Sequence, residues 1–163
     1  MKTSSLLAAL SVLFSIFSVS CQKEGQEDEV LAPNNEPSRQ RAVAALTVFA
    51  KSLEEGDFTS SADLMATPPG MSQEEKVEAM KSMIEKREIS SAGVAVLAEK
   101  GTWGKLREVF AERGLAWAER WKLEPGNCWA LGYEGAETAF IWNGESFLIF
   151  RCDDVGKLVE AAE

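Results

Sequence analysis

Two glycine-bearing dipeptides, Glu134-Gly135 and Asn143-Gly144, cut the last third of this chain into three short strand-like runs, residues 128–133, 136–142 and 145–151. Asn-Gly is the preferred central pair of a type I′ turn, so the spacing predicts two hairpins with two-residue loops and a three-stranded antiparallel meander. Side chains alternate between the faces of a strand. In this register Trp129 stands opposite Phe140 and Phe140 opposite Phe147, with Leu131, Thr138 and Ile149 in the next row. The other face carries Cys128, Ala130, Gly132, Ala139, Ile141, Leu148 and Phe150, small enough in places for a helix to lie close. Two apolar faces require either helices on both sides or one face kept for a ligand or partner. Trp129, Phe140, Trp142 and Phe147 are the candidate residues of such a face.

Upstream, the pattern turns helical. Ser38 can cap a helix whose stripe is Val43, Leu46, Ala50 and Leu53, with Phe49 beside it. Asp57 can cap a short second helix that Pro68-Pro69-Gly70 cannot continue. Ser72 to Glu75 matches a capping box ahead of Val77, Met80 and Ile84. Residues 89–100 fit either a helix or a strand, with helix the preferred reading. Thr102 is expected to cap a helix carrying Leu106, Val109 and Phe110, in which Gly114 either separates two helices or lets one pack closely. Asp153 or Asp154 can cap a last short helix ending near Ala162. The fold class is therefore α+β, with N-terminal helices packed on a C-terminal three-stranded meander.

The first residues follow a different logic. Lys2 precedes an uncharged stretch of about 14 residues, long enough for a signal peptide and short of the ~20 that span a bilayer. Ser18-Val19-Ser20-Cys21 resembles the lipobox of bacterial lipoproteins, in which small residues precede a cysteine that is lipidated and becomes the first residue of the mature chain. The resemblance implies residues 1–20 as signal peptide and an acylated Cys21 as the contact with the lipid bilayer. By the same resemblance Gln22, in place of Asp, implies the outer membrane of a bacterial envelope, with the domain facing the periplasm. Ordinary cleavage after Ser20 would instead release a soluble secreted protein. Residues 21–37 hold the lipidated cysteine and an acidic, nearly apolar-free tether, about 16 flexible residues with an end-to-end distance of roughly 20–25 Å. Residues 38–163 then form a single α+β domain.

Charge narrows the partners. The chain has 17 Lys and Arg against 26 Asp and Glu; without Lys2 the count is 16 against 26, a net −10. This argues against nucleic acid, whose phosphates call for basic patches. There is no histidine, which removes Ser-His and Cys-His nucleophiles, His-bound zinc and the 2-His-1-carboxylate iron site from this chain. No metal or cofactor is expected. Cys128 and Cys152 fall at opposite ends of the predicted sheet, too far apart for a disulfide.

What remains for chemistry is Arg151, Asp153 and Asp154 at the end of the third run, with Glu137 and Tyr133 on neighbouring strands. Paired carboxylates could serve as acid and base or hold a hard cation, but the same residues also make an ordinary cap and surface ion pair. All five tryptophans fall between Trp103 and Trp142, as a core between layers or as the lining of an apolar pocket. The helix, Glu55-Gly56-Asp57-Phe58, short helix and late meander with Trp142 before Asn-Gly are loosely similar to NTF2-like domains, which implies a pocket for a small apolar ligand. Three readings stand. The first is a non-enzymatic envelope lipoprotein displaying an interaction domain to a protein partner. The second is a binding module for an apolar ligand, and the third a carboxylate-dependent enzyme.

Overall fold

Glu134 and Gly135 both hold positive φ, at 47° and 89°, between directly paired Tyr133 and Ala136. The first hairpin is thus the two-residue turn that the spacing predicts, and it organises the sheet of the computed structural model, which describes residues 36–162. All of these lie in one compact unit, Asn34–Glu163. The second hairpin differs from the expectation. Asn143 keeps its φ out of the positive region and uses its side chain instead, Oδ1 accepting from the N–H of Glu145 (2.9 Å) and of Ser146 (2.8 Å). Trp142 therefore pairs with Phe147 across a four-residue loop, and Phe140 stands opposite Ile149 rather than Phe147. Up to Ile149 the slip is by two residues, one full side-chain period, so Phe147, Leu148 and Ile149 keep their expected faces.

The meander has four strands, not three. They are β1 (Thr102–Lys105), β2 (Cys128–Tyr133), β3 (Ala136–Trp142) and β4 (Phe147–Asp153), antiparallel neighbours in the order β1-β2-β3-β4. Thr102, expected as a helix cap, begins β1 and pairs with Gly132. A four-residue strand is too short for its alternation to stand out from helical periodicity, and the helix proper starts only at Leu106. Trp103 thereby joins the sheet opposite Leu131.

Around the sheet lie α1 (Arg39–Glu54), α2 (Phe58–Asp63), α3 (Gln73–Glu85), α4 (Ser91–Lys100) and α5 (Leu106–Arg120), followed by a C-terminal 3-10 helix, Val155–Ala162. Ser38, Asp57, Ser72 and Ser90 each accept a backbone N–H at the start of α1 to α4, and the capping box at Ser72 and Glu75 is complete. Helices α1 and α4 are locked end to end. Arg39 donates to the carbonyls of Ala98 (2.8 Å) and Gly101 (3.1 Å) where α4 ends, and Glu54 accepts from Ser91 N–H (2.7 Å) and Oγ (2.6 Å) where it begins. Each charge faces the helix end of opposite partial charge.

Both faces of the sheet are covered. Leu46, Phe49 and Leu53 of α1, Met80 and Met83 of α3, and Val94 and Leu97 of α4 pack with Leu131, Phe140, Phe147, Ile149 and Cys152. On the other side Leu106 and Ala118 of α5 pack with Cys128, Ala130, Ala139 and Phe150. Met80 and Met83 of α3 belong to this core, Met80 with no exposed surface. At Gly132 a Cβ would meet Phe110 Cε1 at 2.9 Å, so the small residue there admits the aromatic ring of α5. The outer edge of β4 is paired by residues 64–66: Ala66 N–H donates to Ile149 O and Ile149 N–H to Leu64 O. That leaves no long strand edge on this side as a template for aggregation.

Helix α5 is broken once, at Ala111, whose φ of 50° and ψ of −136° belong to glycine's territory. The break, rather than Gly114, separates two helical pieces; buried Gly114 lets them pack, since a Cβ there would lie 2.8 Å from Leu106 O. Ala111→Gly is expected to raise stability by about 1 kcal/mol by removing the strain. Gly114→Ala is expected to lower it by about 1–3 kcal/mol through overpacking. Urea unfolding of both variants is the check. A loss in Ala111→Gly of about 1 kcal/mol, as in an unbroken helix, contradicts the kink.

Candidate functional site

Strand β3 holds Glu137 between Gly132 of β2 and Asp153 of β4, next to the β2–β3 turn, where it is 7% exposed. A carboxylate in that position must be neutralised by a proton or by a cation. Two guanidinium groups do this: Arg113 of α5 reaches Oε1 in a close ion pair, and Arg151 Nε lies 3.9 Å from Oε2. Arg151 is also paired closely with Asp153. Burial raises the Glu137 pKa from its ordinary value, with Arg113 and then Arg151 drawing it back and Asp153 adding to the rise.

A bulge makes this arrangement possible. Between the Ala139–Arg151 and Phe140–Ile149 pairs, Phe150 is an extra residue on β4, so Phe150 and Arg151 both face α5. Strict alternation would turn Arg151 toward the opposite core. The α5 side answers with aromatic rings: Trp117 lies 4.1 Å from the Arg151 guanidinium and 5.3 Å from that of Arg113, and meets Phe110 edge-on at 5.1 Å. The ladder Arg113, Glu137, Arg151, Asp153 is therefore held flat against a wall of rings.

Two clefts open at this ladder. One, about 430 Å³, runs between the β2–β3 turn and the first turns of α5, with Glu108, Phe110, Arg113, Tyr133, Glu134 and Glu137 in its lining. Tyr133 there has a raised pKa, chiefly through its hydrogen bond to Glu134. The other, about 450 Å³, lies beyond Arg151 and is bounded by Pro68, Met71, Arg120 and Trp121.

The sequence placed Arg151, Asp153, Glu137 and Tyr133 near one another, and the first three do form one network. Asp154 points elsewhere, to a close ion pair with Lys157. The partners Arg113, Trp117 and Phe110 were not foreseen, because they come from α5 and no local spacing links them to β3. Among the described residues no group of acidic, cysteine or histidine side chains is placed to hold a metal ion.

The candidate aromatic face is also assembled. Phe140 and Phe147 are 0% and 2% exposed in the core, while Trp129 and Trp142 are half-buried at its margin. Trp103 joins them: its ring stacks on Trp129 at 5.2 Å and meets Phe140 and Phe147 edge-on at 6.0 and 5.7 Å. Trp142 and Phe147 border a small cleft of about 190 Å³ beside Arg41. Cys128 and Cys152 are free, buried thiols on opposite faces, pushed by burial up to about 11 and about 12. Cys21 lies outside the described residues.

Compared with protein-family models, curated proteins and solved structures, the chain matches none.

The sign of one pH effect follows from Glu137. Because the folded chain holds this proton more tightly than the unfolded one, its contribution to stability is full below the ordinary carboxylate value of 4.5 and is lost as pH rises through the folded pKa. Glu137→Gln is expected to flatten the pH dependence of urea stability above pH 4.5. An unchanged slope would show that Glu137 titrates alike in both states.

Proposed function

We propose that this chain is an exported lipoprotein of a bacterial envelope, held on the membrane by acylated Cys21 and displaying its domain as a non-enzymatic interaction module. The observation that carries this reading is the stretch from Phe14 to Cys21, an apolar run ending in small residues and a cysteine. Support comes from the other end of the tether: the helical domain starts at the Ser38 cap, directly after the acidic segment. No described helix is long and apolar enough to cross a membrane, and in this reading the acyl chains supply attachment at about 0.8 kcal/mol per buried methylene. Gln22 favours the outer membrane, with the domain reaching into the periplasm toward a protein partner.

Glu137 is the residue that a carboxylate-dependent enzyme would use, since its pKa is raised beside a cleft. Both of its oxygens face guanidinium groups, which suits a structural and recognition role better than proton transfer to a substrate. Carriage of an apolar ligand on the aromatic face is the weaker alternative, because Phe140 and Phe147 are already packed.

The test is metabolic labelling with palmitate in the producing bacterium, followed by fractionation. The chain is expected to carry label and to sediment with membranes, and Cys21→Ser to be unlabelled and soluble. An unlabelled wild-type chain, or a Cys21→Ser chain that stays with the membranes, contradicts the anchor.

A further inference from the structure

The 450 Å³ cleft between the loop after α2, the end of α5 and β4 differs in charge from the rest of the molecule. Its lining, Pro68, Met71, Arg120, Trp121 and Arg151, holds two guanidinium groups and no carboxylate, in a chain with formal net charge −9. The volume falls in the range of about 300–1,000 Å³ typical of small-molecule sites.

We propose that this cleft binds a small organic anion, a carboxylate carried on an apolar ring or chain. Arg151 is the fixed half of the site. Its guanidinium is stacked on Trp117 and paired with Asp153, so little side-chain freedom is left to lose on binding. Arg120 is the available half: it is exposed and has no hydrogen-bond or ion-pair partner among the described residues. A planar carboxylate matches the open fork of Arg120, with Arg151, already engaged by Asp153 and Glu137, as the second positive group beside it.

The apolar body has its own contacts. The Trp121 ring is braced against Phe150 at 5.8 Å and forms a firm wall, and Met71, 36% exposed, offers a thioether that adapts to different shapes. A bare inorganic anion would use the arginines and leave these two uncovered. An organic cation would find no carboxylate in the lining. The site belongs to the folded domain and does not depend on the anchor.

The experiment is calorimetric titration of the full chain, purified in detergent micelles, with 3-phenylpropionate, 3-phenylpropan-1-ol and inorganic phosphate, each against protein-free micelles. The phenylpropionate is expected to saturate one site with a Kd of about 1 mM or tighter, and the alcohol and phosphate to bind at least about tenfold more weakly. Arg120→Gln should weaken phenylpropionate by about tenfold, the order expected for loss of a charge-assisted contact. Arg107→Gln, an exposed arginine outside the cleft, should leave it unchanged and so controls for net charge. Equal binding of the alcohol or of phosphate, equal loss in Arg107→Gln, an unaffected Arg120→Gln, or no saturation overturns the proposal.

Discussion

Strand β3 meets protein on both faces: from Ala136 to Phe140 every residue is buried. That single condition sets the architecture, because an antiparallel sheet with water on neither side must find two covering layers. Helices α1, α3 and α4 cover one face, and α5 with its kink covers the other. Alternation along β3 then sorts the side chains, with Thr138 and Phe140 toward the first layer and Ala139 and Ile141 toward the second. Small residues on the second face let α5 come close, and the fit is tight enough that Phe110 rests on Gly132.

The same condition creates the polar site. Glu137 lies within the buried run, and its charge cannot be left alone there. Arg113 comes to it from α5 and Arg151 from β4, and the Phe150 bulge turns Arg151 to the required face. Trp117 fills the space against both guanidiniums. Charge compensation in the second layer thus leaves arginines and tryptophans at its surface, in an otherwise acidic protein. The first layer is the reverse, with the Trp103, Trp129, Phe140 and Phe147 cluster turned inward as packing.

Much of this was legible from local pattern. The caps at Ser38, Asp57 and Ser72, the turn at Glu134-Gly135 and the division of the sheet into two apolar faces all follow from spacing within a few residues, whereas residues 89–100 fitted helix and strand alike and form the preferred helix, Ser91–Lys100. The departures have physical causes of longer range. Asn143 could satisfy the second hairpin either by its backbone or by its side chain, and only the pairing of β4 with β3 and with residues 64–66 decides between them. Thr102–Lys105 becomes a strand because β2 offers it an edge, which no property of those four residues announces. The acidic cluster was visible as Glu137, Arg151 and Asp153, but its completion by Arg113 depends on the kink at Ala111.

The claim on which these arguments rest is that the aromatic side of β3 is closed core and not a ligand pocket. Native-state hydrogen exchange of the β3 amides tests it most directly. If both layers seal the strand, the amides of Thr138, Ala139 and Phe140 exchange only by global unfolding, at the free energy found in urea. Exchange of these amides at a markedly lower free energy, with α1 and α4 still protected, would mean that the sheet opens locally and would contradict the account.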